Sequence, residues 1–245
     1  MQKIYAKPES LNKVSSPYCP GCLHGVAQKL MAQALDSLGL REKSIIVMGV
    51  GCVSLGRTYF NMDMVPAAHG RAPAVATGVK RIRPDRFVFT YQGDGDLAAI
   101  GTSEIIHCAN RGENITTLFI NNATYGMTGG QMAPTTLVGQ TSTTTPAGRD
   151  PKTTGYPLKM AEIIATLEAP AYVARFALNS PANILKAAKG IETAFRMQVE
   201  NKGFSFVELL SNCPTNWHMK PLDALATIEK NMIPYYPLGE FKVRK

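Results

Sequence analysis

Two short stretches carry hard oxygen donors, Gly93-Asp94-Gly95-Asp96 and Asn121-Asn122. Asp94 offers a carboxylate and Asn122 an amide carbonyl. Such donors suit Mg²⁺, which keeps open positions for phosphate oxygens. Gly93 and Gly95 let the backbone come close to a phosphate. The pair therefore predicts a magnesium ion holding a diphosphate. A second set is sulfur. Cys19 and Cys22 form a Cys-x-x-Cys turn around Pro20-Gly21, while Cys52 and Cys213 stand apart. Four thiolates suit Zn²⁺ or a [4Fe–4S] cluster, and spacing alone does not choose. A Cys-x-x-Cys opening a helix also fits a thioredoxin-like redox pair, but the elements that follow do not support that fold. Cys108 lies in a helical apolar stripe and reads as a small buried residue. A third group is His69, in Ala67-Ala68-His69-Gly70-Arg71. The glycine beside it and the helix start behind it favour a site over a satisfied structural histidine.

These residues need elements to hold them. Residues 86–91 are apolar and read as a strand, residues 97–110 carry a helical stripe ended by Arg111-Gly112, and residues 115–120 read as a second strand. This is one βαβ unit, and its right-handed crossover puts the Asp94 turn and the Asn pair at one edge of a parallel sheet. Open α/β sheets bind ligands at that edge, and the helix start favours negative charge there. A helix over 26–38 and a strand over 44–50 precede Cys52, and a strand over 204–210 precedes Cys213. All four cysteine loops could thus meet at the same edge. Residues 156–167 are expected to be helical and 172–178 a strand. Ser180-Pro181 caps a helix over 182–199. The Thr-, Gly- and Pro-rich stretch 132–156 is long for a plain connection and reads as a lid or an interface loop. The expected fold is α/β: a single doubly wound, mostly parallel sheet, one domain over 1–245. An extended arm (1–17) and a packing tail (214–245), with a short helix near 222–231, flank it.

The bulk numbers agree with a globular chain. It has 245 residues, 45% hydrophobic and 18% charged. No apolar run reaches the ~20 residues that span a bilayer, and the N-terminus lacks a signal-peptide core, so a cytoplasmic protein is expected. The formal charge of +8 comes from scattered Lys and Arg. No basic run is interleaved with aromatics, so neither nucleic acid nor membrane is an expected partner. Five cysteines, an odd count, argue against a disulfide framework.

Gly-Asp-Gly followed by Asn-Asn at this distance resembles the diphosphate-binding signature of thiamine-diphosphate enzymes. Cys-Pro-Gly-Cys, Gly-Cys after the first strand, His-Gly-Arg, Gly-Asp-Gly-Asp and Thr-Gly-Gly-Gln occur here in the order found in β subunits of 2-oxoacid:ferredoxin oxidoreductases, and the resemblance runs along nearly the whole chain. Leu23, where the family commonly has Gly, is a departure that touches only the local turn. The resemblance implies thiamine diphosphate, Mg²⁺ on Asp94, Asn122 and the main-chain carbonyl of Thr124, and a [4Fe–4S] cluster on Cys19, Cys22, Cys52 and Cys213. It places Gly51, Cys52, Val53, His69, Gly70, Gly93, Asp94, Gly95, Asp96, Asn122, Gly126 and Met127 around the cofactor, with His69 and Cys52 nearest the chemistry and His69 as a proton-transfer group. The implied activity is coenzyme A-dependent oxidative decarboxylation of a 2-oxoacid, 2-oxoglutarate or a branched-chain acid, with electrons passed to ferredoxin. The implied partners are an α subunit supplying the aminopyrimidine half of the site and a γ subunit or domain. Two other readings stay open: the diphosphate-binding half of a non-redox 2-oxoacid decarboxylase, and a non-catalytic zinc-binding subunit.

Overall fold

The computed structural model describes residues 6–244. Seven strands form one sheet: β1 (Ser44–Met48), β2 (Asp63–Pro66), β3 (Phe87–Gly93), β4 (Thr116–Asn121), β5 (Tyr172–Ala177), β6 (Ser205–Leu210) and β7 (Gly239–Val243). Their order across the sheet is β2-β1-β3-β4-β6-β5-β7. Every pairing is parallel except that of β7 with β5. The central strands β3, β4 and β6 are buried along nearly their whole length, as continuous apolar runs covered on both faces must be. The expected doubly wound α/β fold is observed.

Helices α1 (His24–Ser37), α2 (Ala72–Ile82), α3 (Thr102–Asn110), α4 (Pro151–Thr154), α5 (Met160–Ala165), α6 (Pro181–Val199) and α7 (Pro221–Thr227) surround the sheet. On one face α1 and α6 pack with the C-terminal segment around Phe89, Leu118, Val207 and Phe195. On the other, α2, α3 and α5 bury Val88, Phe119, Ile105 and Ile164. Helix α6 begins as its residues dictate: Pro181 at the first position, and Ser180 Oγ accepting from the Asn183 amide at 3.3 Å.

Several elements depart from expectation. The helix expected over 97–110 is broken: a wide π-type turn, Gly95–Ile100, leads through Gly101 into α3. The helix expected over 156–167 shrinks to α5, because Pro157 cannot continue a hydrogen-bond ladder and the Leu158 amide donates instead to Pro134 O at 3.0 Å. The tail folds back on the sheet through α7 and β7, with Tyr236 fully buried. Of the N-terminal arm, residues 1–5 lie outside the described residues. The part from Pro8 onward is anchored rather than extended: Ser10 hydrogen-bonds to Asp36, and Leu11 is buried. No helix among the described residues is long and apolar enough to cross a membrane.

Candidate active site

The loops that follow β1, β2, β3 and β4 converge at the carboxyl ends of those strands and line one cleft. The chain reverses its direction across the sheet there, since β2 lies to one side of β1 and β3 to the other. The cleft is lined by Gly51, Cys52 and Val53 after β1, His69 after β2, Gly93 to Asp96 after β3, and Asn122, Thr124, Gly126 and Met127 after β4. Gly70 is buried, its amide donating to the cleft-lining Asp96.

Asp94 and Asn122 sit at the ends of the neighbouring strands β3 and β4. Both side chains are buried. The Asn122 side-chain oxygen meets only acceptors: Thr124 O at 2.9 Å and both Asp94 carboxylate oxygens at 3.2 Å. If its amide turned over, the nitrogen would donate to those same atoms. That turn would satisfy the set without a cation; in the other orientation four oxygens crowd together, an arrangement that a cation would relieve. Adjacent ligands of an octahedral ion with bonds near ~2.1 Å stand about 3 Å apart, so the set fits Mg²⁺. Burial pushes the Asp94 carboxyl up to about 7, against the pull of the Thr135 hydroxyl. A bound cation would favour its ionised form.

Asp96 behaves differently. Its Oδ1 accepts from His69 Nδ1 at 2.8 Å, Gly70 N at 2.8 Å and Val50 N at 2.9 Å, and its Oδ2 accepts from Gln92 Nε2 at 2.6 Å. The carboxylate is thus used up by three segments of this chain. It ties those segments together while Asp96 itself also lines the cleft. Because an ionised carboxylate only accepts, Nδ1 of His69 carries the proton and Nε2 is left for the cleft. The approach is tight: a Cβ on Gly49 would fall 2.1 Å from Asp96 Oδ2.

The four expected cysteines gather beside the cleft as free thiols. A Cβ on Gly126 would lie 3.3 Å from Cys52 Sγ and 3.6 Å from Cys213 Sγ, so both sulfurs flank one point next to the β4 loop. Burial, reinforced by the neighbouring sulfurs, pushes Cys22 up to about 11 and Cys52 up to about 12. Thiols held that high stay protonated near neutrality unless a metal stabilises the thiolate. Among the described residues, no group of three or more His, Cys, Asp or Glu side chains stands ready at metal-binding geometry. The donors are the right kind and share one neighbourhood, but they are not closed around a common centre. Cys108, on α3, is fully buried against α2, as its stripe predicts.

Sequence reasoning missed His24. It lines the cleft, stacks on Tyr18 at 4.9 Å between ring centroids, and meets the Tyr91 hydroxyl at 2.5 Å through Nδ1. Burial lowers its pKa to about 4, so it is neutral. Its place directly after the Cys-x-x-Cys turn was the available signal. Thr135, which donates to Asp94 Oδ2 at 2.8 Å, comes from a stretch with no periodicity and left no signal.

Residues 49–209 match the family of thiamine pyrophosphate enzymes, C-terminal TPP binding domain. The ketoisovalerate oxidoreductase subunit VorA of Methanothermobacter thermautotrophicus is 45% identical over 253 residues, covering 99% of this chain and 53% of that relative. The chain therefore spans about half the length of that relative. The 2-oxoglutarate synthase subunit KorB of Archaeoglobus fulgidus is 36% identical over 231 residues, covering 94% of this chain and 82% of that subunit. Among solved structures, a 2-oxoglutarate:ferredoxin oxidoreductase from Magnetococcus marinus, with 2-oxoglutarate, coenzyme A and succinyl-CoA bound, superposes with a TM-score of 0.79. It is 27% identical, over 98% of this chain and 86% of that one. The chain belongs to the thiamine pyrophosphate enzymes, within the β-subunit family of the 2-oxoacid:ferredoxin oxidoreductases.

Proposed function

We propose that this chain is the cofactor-binding β subunit of an enzyme that converts a 2-oxoacid and coenzyme A to acyl-CoA and carbon dioxide, passing two electrons to ferredoxin. The observation that carries the proposal is the Asn122 side-chain amide, one atom of which lies 2.9 Å from Thr124 O and 3.2 Å from each Asp94 carboxylate oxygen, in the cleft that Cys52 also lines. When bound, thiamine diphosphate supplies the carbanion that adds to the 2-oxoacid carbonyl, and a [4Fe–4S] cluster takes up electrons singly. Asp94, Asn122 and the Thr124 carbonyl would hold Mg²⁺ against the diphosphate. Gly93, with nothing within 4 Å of an added Cβ, leaves room for phosphate oxygens; Gly95 lies against the Tyr125 ring, and Gly126 and Met127 form the wall beside them. Cys19, Cys22, Cys52 and Cys213 would hold the cluster. The Gly51-Cys52-Val53 loop faces the cleft and carries one of those thiols, so it would link the two groups when both are bound. His69, oriented by Asp96 and backed by Gly70, would hold or move a proton through Nε2.

We assign the diphosphate half of a thiamine site to this chain and the aminopyrimidine half and its activating Glu to an α subunit, with a γ subunit or domain completing the complex. The relatives point to 2-oxoglutarate or a branched-chain 2-oxoacid as substrate. The test is anaerobic purification of the chain alone and with its co-purifying partners. The complex should contain iron and sulfide and should bind thiamine diphosphate only with Mg²⁺. It should reduce viologen in the presence of a 2-oxoacid and coenzyme A, while the chain alone should not. Metal-independent cofactor binding, or robust turnover by the isolated chain, would overturn the proposal.

A further inference from the structure

The stretch 132–156 looks like a lid in sequence, yet its first turn is buried beneath the site. Thr135 and Thr136 are both fully buried. Thr135 Oγ1 donates to Asp94 Oδ2 at 2.8 Å, and Thr136 Oγ1 donates to Ala123 O at 2.7 Å. One dipeptide thus reaches both turns that carry the oxygen set, the Asp94 turn after β3 and the 122–124 turn after β4. We infer that Thr135 and Thr136 are positioning residues that fix the distance between Asp94 and the Asn122–Thr124 pair. This inference rests on the metal site proposed above.

The dipeptide is itself held from two sides. Arg149 is buried, and its Nη1 donates to Pro134 O at 2.9 Å and Thr136 O at 2.6 Å. From the tail, the Tyr236 hydroxyl donates to Thr135 O at 2.7 Å. Thr136 Oγ1 also accepts from the Ala133 amide at 2.8 Å, which fixes its rotamer. Threonine's branched Cβ stiffens χ1, so a threonine hydroxyl is a firmer strut than a serine one. Mg²⁺ demands near-ideal octahedral geometry, whereas Ca²⁺ accepts looser and longer arrangements. A strut that sets oxygen spacing should therefore act on the choice between the two ions. A buried threonine that only satisfied its own loop would lower stability and leave that choice alone.

The test uses the complex that co-purifies with this chain, with equilibrium dialysis of thiamine diphosphate across a range of Mg²⁺ and, separately, Ca²⁺. Loss of a group that orients a metal ligand costs on the order of 10- to 100-fold in metal affinity. Thr135→Val should raise the Mg²⁺ requirement by about that factor and reduce the preference for Mg²⁺ over Ca²⁺, and Thr135→Ser should restore most of both. Tyr236→Phe, which keeps the buried ring, should move the Mg²⁺ requirement the same way by a smaller factor. It reports on the brace even if Thr135→Val does not fold. Wild-type Mg²⁺ requirement and ion preference in Thr135→Val or, failing that, in Tyr236→Phe would overturn the inference. If the wild-type complex binds no thiamine diphosphate with either ion, the proposed function falls first and this inference with it.

Discussion

Asp96 Oδ1 and His69 Nδ1 lie 2.8 Å apart, one member fully enclosed and the other open to the cleft. The same carboxylate gathers Gly70, Val50 and Gln92. Asp96→Ala would leave several buried donors without an acceptor, at roughly 1–3 kcal/mol for each one that water cannot reach. We expect the variant to lose about 3 kcal/mol in urea unfolding. Paired with His69→Gln in a double-mutant cycle, the two changes should be non-additive in turnover of the assembled complex. Additivity would mean that Asp96 does not act through His69.

Gly101 separates the π-type turn from α3, and a Cβ there would meet Asp96 O at 2.5 Å and Gly70 O at 2.6 Å. Both obstacles are main chain, which cannot swing aside. Gly101→Ala should destabilise the chain by about 2 kcal/mol and weaken thiamine diphosphate binding, since the His69-Gly70 loop must retreat. Gly78 in α2 is the control, because nothing stands within 4 Å of its added Cβ. Gly78→Ala should stabilise by about 0.5–1 kcal/mol, from helix propensity alone. Thermal unfolding of both variants checks the contrast.

Two buried groups pull stability in opposite directions with pH. Asp94 is raised from 3.8 to about 7, so the native state keeps a proton that the unfolded chain has released, and stability falls as pH rises across that range. His24 is lowered from 6.5 to about 4, so the unfolded chain binds the proton, and stability falls as pH drops across that range. Between 4 and 6.5 the two effects oppose, and the metal-free chain should show a shallow pH dependence. Asp94→Asn should expose the histidine's slope, with acid now destabilising. His24→Gln should expose the reverse slope. Urea midpoints measured across the window would show whether the slopes separate with these signs.

The cysteines divide four against one. Cys52→Ser or Cys213→Ser should abolish iron in anaerobic preparations of the complex. Cys108→Ala should keep full iron content and cost only about 1 kcal/mol for a small cavity between α2 and α3. Iron and acid-labile sulfide per chain decide the matter. Retention of iron by Cys213→Ser would remove that residue from the ligand set.

Much of the site was legible because it sits where local signals are strong. The run 86–91, the glycines around Asp94 and the Asn pair lie on one βαβ unit, whose geometry follows from strand patterning and crossover handedness. Short edge strands carry no such pattern: β2 has four residues, and β7 follows a tail read only as packing. The hydrogen bonds of Asp96 could not be read because its partners, Val50, His69 and Gln92, come from three different segments. The turn after β4 was also hidden. Ala123 sits at φ 55°, where a non-glycine residue is rare, and it is held there by tertiary contacts: its amide donates to Asn121 Oδ1 at 3.2 Å, and its carbonyl accepts from Thr136. Behind it, Asn121 Nδ2 donates to the buried Glu208 at 2.8 Å, and Glu208 pairs with the buried Arg175 at 2.9 Å.

Both margins of the sheet are blunt. At one end β2 is brief and finishes in Pro66; at the other, β7 runs against the grain of its neighbour and meets it through an irregularity at Val173 and Ala174. Such borders discourage a further strand from joining. The open cleft lies over the tips of the strands, so a companion chain that roofs it would come end-on.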